Sequence, residues 1–266
     1  AVPVQSDGVI SLSALEKMVT ADTVLLTAML VNNEIGSIQP IAKMAKILKK
    51  KNPRAVFHVD AVQGYGKVLC DVRELGVDLL SISGHKIHGP KGIGVLYIKK
   101  GTKIAPILYG GGQQDNLRSG TENVPGIAGL GLAAEICHKN MKESVPEMER
   151  LRRRLEQGII ANIPNVRINT PKGCAPHILN VSFGGVRSEV VLHSLENEGI
   201  YVSSGSACSS HKKEPSYVLT AIGTPREMID GSIRFSLSEM NTEEDIDAAV
   251  AALTVIVPRL RKLNLS

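Results

Sequence analysis

The sequence predicts an α/β protein, with a mostly parallel sheet in a large first domain and a smaller α+β domain after it. Up to about residue 125, short apolar runs alternate with amphipathic helical segments, which is typical of parallel β–α units. Beyond that point, 126–160 is strongly helical, and short strands with helices between them follow. We therefore expect a large domain over 1–140 and a small C-terminal domain over 141–266.

The elements of the first domain follow in order. Ser13 with Glu16 three residues later predicts the start of a helix. The apolar run 24–30 predicts a parallel strand that is buried on both faces. Pro40 predicts the start of an amphipathic helix that ends in lysines. Further strands are predicted at 55–60, 77–83 and 93–98, with a short helix at 72–75.

The second domain is predicted to begin with the long helix and to continue with four short strands. These strands are expected at 166–169, 178–183, 200–203 and 232–237. Helices are expected at about 188–198, 214–222 and 243–263.

Composition argues against several classes of protein. The net charge is only +5 and aromatic residues make up 3%, which is a poor match to a nucleic-acid platform. The four cysteines form no CxxC pair, so neither a zinc site nor a disulfide framework is expected. The start of the chain does not resemble a leader peptide, and no apolar run reaches the ~18 residues of a membrane span. We therefore expect a cytoplasmic protein with no metal site.

Polar residues stand directly after three predicted strands. Asn33 follows the first, Asp60 ends the second, and Lys86 follows the third. Because parallel strands end at one edge of their sheet, these residues are expected to form one ligand site. Lys86 then becomes a candidate for an amine that forms an imine with a cofactor. Taken alone, each has a plainer explanation: a surface lysine, a helix-capping aspartate, and an asparagine in a turn.

Two further residues are candidates in the second domain. Cys208 lies among small polar residues, and the nearby His211 and Lys212 favour its thiolate. Arg234 lies inside a predicted strand, and a guanidinium there can bind a carboxylate through two hydrogen bonds. An inert loop cysteine and a solvent-facing arginine remain the alternatives.

Five motifs together give a family resemblance. HVDAVQ, SGHKIHGPKG, GGGQQDNLRSGTENVPG, SSGSACSS and SIRFSL occur in this order, and the chain carrying them resembles the cysteine desulfurases. These enzymes have the pyridoxal phosphate (PLP)-dependent transferase fold type I. The loop around Cys208 is similar to that of the branch that supplies sulfur for iron–sulfur cluster assembly. The resemblance implies that the first domain binds PLP and that the second carries the catalytic cysteine loop.

The resemblance assigns a role to each residue that matches a motif. In the PLP site, Lys86 would hold the cofactor covalently, Asp60 would pair with the ring nitrogen, and Gln63 would contact the ring oxygen. The phosphate would be bound by Ser83, by His85 and, from the other subunit of a homodimer, by Thr121.

The remaining roles concern the substrate, L-cysteine. Arg234 would bind its carboxylate, and Asn33 would lie beside both cofactor and substrate. Cys208 would take its sulfur as a persulfide, which then passes to an acceptor or scaffold protein. Asn180 and Arg118 are weaker candidates, and Asn180 is expected to be structural.

Family members usually carry a further segment before the position where this chain begins, and we expect this polypeptide to lack it. Without that segment, the sheet should have an unpaired edge, and the chain alone should bind PLP weakly. Two other functions stay open. One is a selenocysteine lyase of the same fold, and the other is a non-catalytic fragment that only dimerises or docks sulfur acceptors.

Overall fold

A computed structural model describes residues 1–204 and 215–263, and these residues form two compact units. Unit 1 consists of 1–15, 31–40 and the chain from residue 141, whereas unit 2 consists of 16–30 and 41–140. One border between the units therefore falls at residue 140, where the sequence predicts a domain boundary. The segments 1–15 and 31–40 belong to unit 1, a placement that no local sequence pattern indicates.

Unit 2 contains a four-stranded sheet in the order β1–β2–β3–β4. Its strands are β1 (Leu25–Met29), β2 (Val56–Asp60), β3 (Leu79–Ser83) and β4 (Gly94–Ile98). The first three strands are parallel, and β4 is antiparallel to β3. The predicted mostly parallel α/β sheet is thus confirmed. Because β1, β2 and β3 run the same way, their carboxyl ends lie at one edge.

Helices α2 (Ile41–Lys51) and α3 (Val72–Leu75) connect the parallel strands. Helix α2 buries its apolar stripe, and Phe57 and Val59 of β2 are fully buried. Asp71 caps α3 by accepting a hydrogen bond from the backbone N–H of Arg73, and Gly76 ends that helix in a left-handed conformation with φ of 69°. Local signals therefore set the boundaries of α3, and both agree with the prediction.

Strand β1 differs from its prediction, because it is an edge strand in the described sheet and not a strand buried on both faces. Val24 and Leu25 are 76% and 54% exposed. The N–H of Val56 donates to Val24, and the N–H of Leu30 donates to Asp60. The backbone N–H and C=O groups of the even-numbered residues of β1 therefore point toward β2, and those of the odd-numbered residues point away from it. Within the described residues, β1 is the end strand of its sheet.

Helix α1 (Leu12–Met18) begins one residue before Ser13, its predicted cap. The hydroxyl of Ser11 accepts a hydrogen bond of 3.3 Å from the N–H of Ala14, so Ser11 is the capping residue. The prediction of a capping box at Ser13 and Glu16 is wrong, because Ser13 already lies inside the helix.

Unit 1 contains a second sheet, which is entirely antiparallel and has the order β5–β6–β8–β7. Its strands are β5 (Val166–Ile168), β6 (Ile178–Phe183), β7 (Ser203–Ser204) and β8 (Ser232–Ser236). The helices are α5 (Ser188–Glu196), α6 (Tyr217–Ala221), α7 (Arg226–Ile229) and α8 (Glu243–Leu263), together with the part of α4 (Val124–Asn162) from residue 141 on.

The core of unit 1 lies between this sheet and the two long helices. Leu155 of α4, Phe183 of β6, Phe235 of β8 and Leu253 of α8 are buried in one cluster. Arg154 of α4 pairs with Asp247 of α8 at 2.8 Å outside that cluster. Every helix in the described part of the chain is too short or too polar to cross a bilayer.

Candidate active site

Lys86 lies on a short 3₁₀ turn, Gly84–Lys86, directly after β3. The carbonyl of Gly84 accepts hydrogen bonds from the N–H groups of Ile87 and Gly89, and the N–H of Gly84 donates to Ile93. A Cβ on buried Gly84 would lie only 3.0 Å from the carbonyl oxygen of Pro90, so glycine permits this close approach. These hydrogen bonds define the turn, which leaves the side chain of Lys86 exposed.

Two potential phosphate ligands lie within three residues of Lys86. Ser83 Oγ and His85 Nδ1 are hydrogen-bonded to each other at 2.8 Å. A hydroxyl, an imidazole and an amine thus stand together on one exposed turn. This donor set suits an anionic phosphate next to a carbonyl carbon.

Asp60 ends β2 at the same carboxyl edge of the sheet, where its Cα is in register with Ser81 of β3. Its Oδ1 accepts a 2.9 Å hydrogen bond from the N–H of Val62, so its other oxygen can accept from a ligand. Gln63 lies half-buried in the following turn. We call Asp60, Ser83, His85 and Lys86 the lysine edge. This group supplies a carboxylate, hydrogen-bond donors for a phosphate and an amine, and it therefore fits PLP.

A row of hydrogen bonds crosses the sheet beside the lysine edge. His58 Nδ1 bonds Thr27 Oγ1 at 2.9 Å, and His58 Nε2 bonds Ser81 Oγ at 2.8 Å. His58 and Asp60 are two residues apart on one strand and so face the same side of the sheet. Sequence reasoning missed this row, although polar residues inside three apolar strands were a visible signal.

Thr121 and Arg118 lie in the segment before α4, and both are exposed. Arg118 donates a 3.2 Å hydrogen bond to the carbonyl of Ser119. Within the described residues of this chain, neither side chain is hydrogen-bonded to the lysine edge. The role of Thr121 toward a partner subunit therefore stays a prediction.

Arg234 lies on β8 in unit 1 and donates hydrogen bonds to acceptors in distant parts of the chain. Its Nη1 donates to the carbonyl of Asn33 at 3.0 Å, and its Nη2 donates to Ser203 Oγ at 3.1 Å. Asn33 and Arg234, both predicted as site residues, are thus brought together across 201 positions of sequence. The contact is through the backbone of Asn33.

A tight turn presents the carbonyl of Asn33 to Arg234. Asn32 Oδ1 accepts hydrogen bonds from the N–H groups of Glu34 and Ile35 at 2.9 and 3.0 Å. Gly36 then has φ of 76°, and a Cβ there would lie 3.1 Å from the Cβ of Ile178. Asn32 thus holds this turn through its side-chain oxygen, and Gly36 permits the left-handed backbone because it has no Cβ.

Asn180 of β6 is hydrogen-bonded to the same turn and is fully buried. Its Nδ2 donates to the carbonyl of Glu34 at 3.2 Å, and its Oδ1 accepts from Asn169 and Ser232 at 2.8 and 2.9 Å. These three bonds connect the turn after β1 with Asn169 and Ser232, and the structural role of Asn180 stays a prediction. We call Asn33, Glu34, Asn180, Ser203, Ser216 and Arg234 the arginine cluster.

Glu34 is a member of this cluster that sequence reasoning missed. Only 2% of the residue is exposed, and Ser216 donates a 2.6 Å hydrogen bond to its Oε2. Burial raises the pKa of the Glu34 carboxyl, whereas the bond from Ser216 and the positive charge of Arg234 lower it by less. The motif NNE shows a glutamate, but its burial depends on residues distant in sequence.

Cys208, the predicted nucleophile, lies outside the described residues. Two other cysteines are poor nucleophiles at neutral pH. Burial raises the pKa of the Cys70 thiol to about 11, and burial also raises the pKa of Cys174. Since the thiolate is the reactive form, neither of these residues suits a nucleophilic role.

The family model of the aminotransferase class-V proteins matches residues 1–249. A cysteine desulfurase IscS from Clostridium botulinum is 44% identical over 265 residues, which are 98% of this chain and 66% of that relative. The solved structure of a NifS-like protein superposes with a TM-score of 0.90 at 43% identity, covering 97% of this chain and 68% of that one.

A further solved structure, SspA in complex with cysteine, superposes with a TM-score of 0.72 at 33% identity. The match covers 91% of this chain and 66% of SspA. This chain thus spans slightly less than two thirds of the curated desulfurase reported above.

Proposed function

Because the chain belongs to the aminotransferase class-V family, we propose that it provides the catalytic machinery of a PLP-dependent cysteine desulfurase. The reaction converts L-cysteine and the Cys208 thiol into L-alanine and a persulfide on Cys208. The observation that carries the proposal is the lysine edge, where Lys86 lies on a hydrogen-bonded turn beside the Ser83–His85 pair. The similarity to a cysteine desulfurase IscS and to a NifS-like protein favours this reaction over selenocysteine cleavage or a purely docking role.

The residues of unit 2 would hold the cofactor. Asp60 would keep the pyridine nitrogen protonated, since a carboxylate stabilises that charge. Ser83 and His85 would donate to the phosphate, with Thr121 of one subunit acting on the phosphate bound by the other, and Gln63 would donate to the ring oxygen. Bound PLP supplies the electron sink that makes the α-proton of an amino acid labile.

The remaining residues would bind and cleave the substrate. Arg234 would bind the substrate carboxylate, and the turn carrying Asn33 would fix the orientation of the guanidinium. The amine of Lys86 would move the α-proton once the substrate has displaced it from the cofactor. The Cys208 thiolate would attack the substrate sulfur, forming an S–S bond while the C–S bond breaks with its electron pair left on the carbon skeleton.

Two substitutions test this assignment. Lys86→Ala should abolish a PLP adduct that borohydride can trap, whereas Lys91→Ala, at an exposed lysine, should keep it. Cys208→Ala should lower alanine release from cysteine at least about a hundredfold, whereas Cys70→Ala should change the rate little. Alanine release from Cys208→Ala at the parent rate would show that another nucleophile takes the sulfur.

We also propose that the protein works as a homodimer and passes sulfur to an acceptor or scaffold protein. The support is that the sequences around Thr121 and Cys208 resemble the corresponding motifs of the cysteine desulfurases. Light scattering combined with size-exclusion chromatography measures the oligomer. A monomer at micromolar concentration with full desulfurase activity would refute the shared phosphate site.

A further inference from the structure

Glu34 is a buried carboxylate that the proposed reaction does not use. Buried ionisable groups without a partner are costly, so a glutamate that is 2% exposed calls for a physical reason. Its Oε2 receives a 2.6 Å hydrogen bond from Ser216, which also caps α6 by accepting from the N–H of Leu219. The side chain thus ties the turn after β1 to the start of α6.

The backbone around Glu34 is held equally closely. Its N–H donates to Asn32 Oδ1, and its carbonyl accepts from Asn180 Nδ2. The carbonyl of the preceding residue, Asn33, accepts from Arg234. A change at Glu34 is therefore transmitted to the carbonyl group that orients Arg234.

Charge gives Glu34 a second influence on Arg234. In the described part of unit 1, the elements packed around Glu34 are its own turn, β6, β8 and the start of α6. The charged group that acts on its carboxyl is Arg234, while Asn180 and Ser216 are neutral partners. An ionised Glu34 offsets the positive charge of Arg234, whereas a protonated Glu34 leaves that charge available to a ligand.

We infer that Glu34 is a positioning residue for Arg234, and that its charge sets how tightly Arg234 binds a substrate carboxylate. The inference rests on the proposed function, in which Arg234 is the carboxylate ligand. A carboxylate that binds to Arg234 places a second negative charge near Glu34 and so favours the protonated form of Glu34. Ligand binding and proton uptake are thereby coupled, and each strengthens the other.

The inference can be tested with 3-mercaptopropionate, which has the carboxylate and thiol of cysteine but no amine to react with PLP. Its dissociation constant is measured by calorimetry on the full chain between pH 5 and pH 8. The variants are Glu34→Gln, which keeps an acceptor for Ser216 but removes the charge, and Glu198→Gln as a matched control. Glu198 is exposed, so its variant makes the same charge change without the contacts of the arginine cluster.

In the parent protein, binding should weaken as the pH rises, because Glu34 becomes ionised and competes for Arg234. Glu34→Gln should bind about fivefold or more tightly at pH 8, with an affinity that stays constant across this pH range. Calorimetry in buffers of different ionisation enthalpy should show proton uptake in the parent and in Glu198→Gln, and none in Glu34→Gln.

Equal affinity and equal pH dependence in the parent and Glu34→Gln would overturn the inference and leave Glu34 a structural residue only. Arg234→Gln separates this failure from a failure of the proposed function. Its binding of 3-mercaptopropionate should fall at least tenfold. If Arg234→Gln binds as the parent does, Arg234 is not the carboxylate ligand, whatever the behaviour of Glu34.

Discussion

At the scale of single residues, chemistry depends on which side chains the fold exposes and which it buries. Lys86 and His85 are exposed on a turn, whereas Glu34 is enclosed. The same distinction separates the cysteines, because burial suppresses the thiolate of Cys70 and Cys174. Exposure therefore sorts residues of one chemical type into reactive and inert groups.

The thiols give a prediction at this scale. With its pKa raised from 9.0 to about 11, Cys70 has a thiolate fraction at pH 8 that is about a hundredfold below that of an unperturbed cysteine. Its alkylation by iodoacetamide should be slower by a comparable factor and should accelerate as the pH approaches 11. Peptide mass spectrometry of a pH series measures this rate.

Alkylation of the unfolded chain in urea serves as the control, because there the thiol of Cys70 returns to its ordinary pKa. Equal rates for Cys70 in the folded and unfolded chains at pH 8 would contradict the effect of burial.

At the scale of elements, a central strand of each sheet positions the residues of one group. Strand β2 places Asp60 at the lysine edge, and β6 places Asn180 beneath the turn that carries Asn33. Both strands lie between two neighbours, so their registers are fixed from both sides.

Asn180→Ala tests the role of β6. The substitution removes the acceptor of Asn169 and Ser232 and the donor to Glu34, which leaves buried polar groups unsatisfied. We expect a loss of about 2–3 kcal/mol in the free energy of unfolding, measured by urea denaturation. Asn162→Ala, at an exposed residue of α4, should cost less than about 1 kcal/mol.

An equal loss for Asn180→Ala and Asn162→Ala would show that the buried network does not stabilise unit 1. A larger loss with unchanged binding of 3-mercaptopropionate would show that the network stabilises the fold without orienting Arg234.

At the scale of the whole molecule, each of the two units has its own sheet, and β1 is an exposed end strand of the sheet in unit 2. Strand β1 of unit 2 has no charged residue and no proline, and it lies at the end of the described sheet. Natural edge strands are usually protected by such residues, so this edge favours pairing with another strand.

Leu25→Lys tests the consequence of that edge. A lysine at this 54% exposed position disfavours strand pairing by its charge, so self-association of the chain should decrease. Static light scattering over a concentration series measures the change. Val255→Lys, at a 65% exposed position of helix α8, adds the same charge away from any strand edge.

A decrease of equal size for Leu25→Lys and Val255→Lys would indicate a general effect of net charge. Only a decrease specific to Leu25→Lys supports association through β1.

The α/β class, most of the elements and the residues of the family motifs could be predicted from the amino-acid sequence. Helix α3 illustrates the reason, because its cap at Asp71 and its stop at Gly76 are local signals. The candidates Lys86, Asp60 and Arg234 could be predicted in the same way, because each is a polar residue within or next to an apolar strand.

Tertiary structure alone decided which residues meet and which are buried. Asn33 contacts Arg234 across 201 positions, and Glu34 is enclosed by Asn180 and Ser216, which no local pattern predicts. The exposure of β1 likewise depends on its neighbours in the sheet and not on its own apolar residues. Burial and long-range pairing are properties of the packed chain, and they decide the ionisation of Glu34 and the orientation of Arg234.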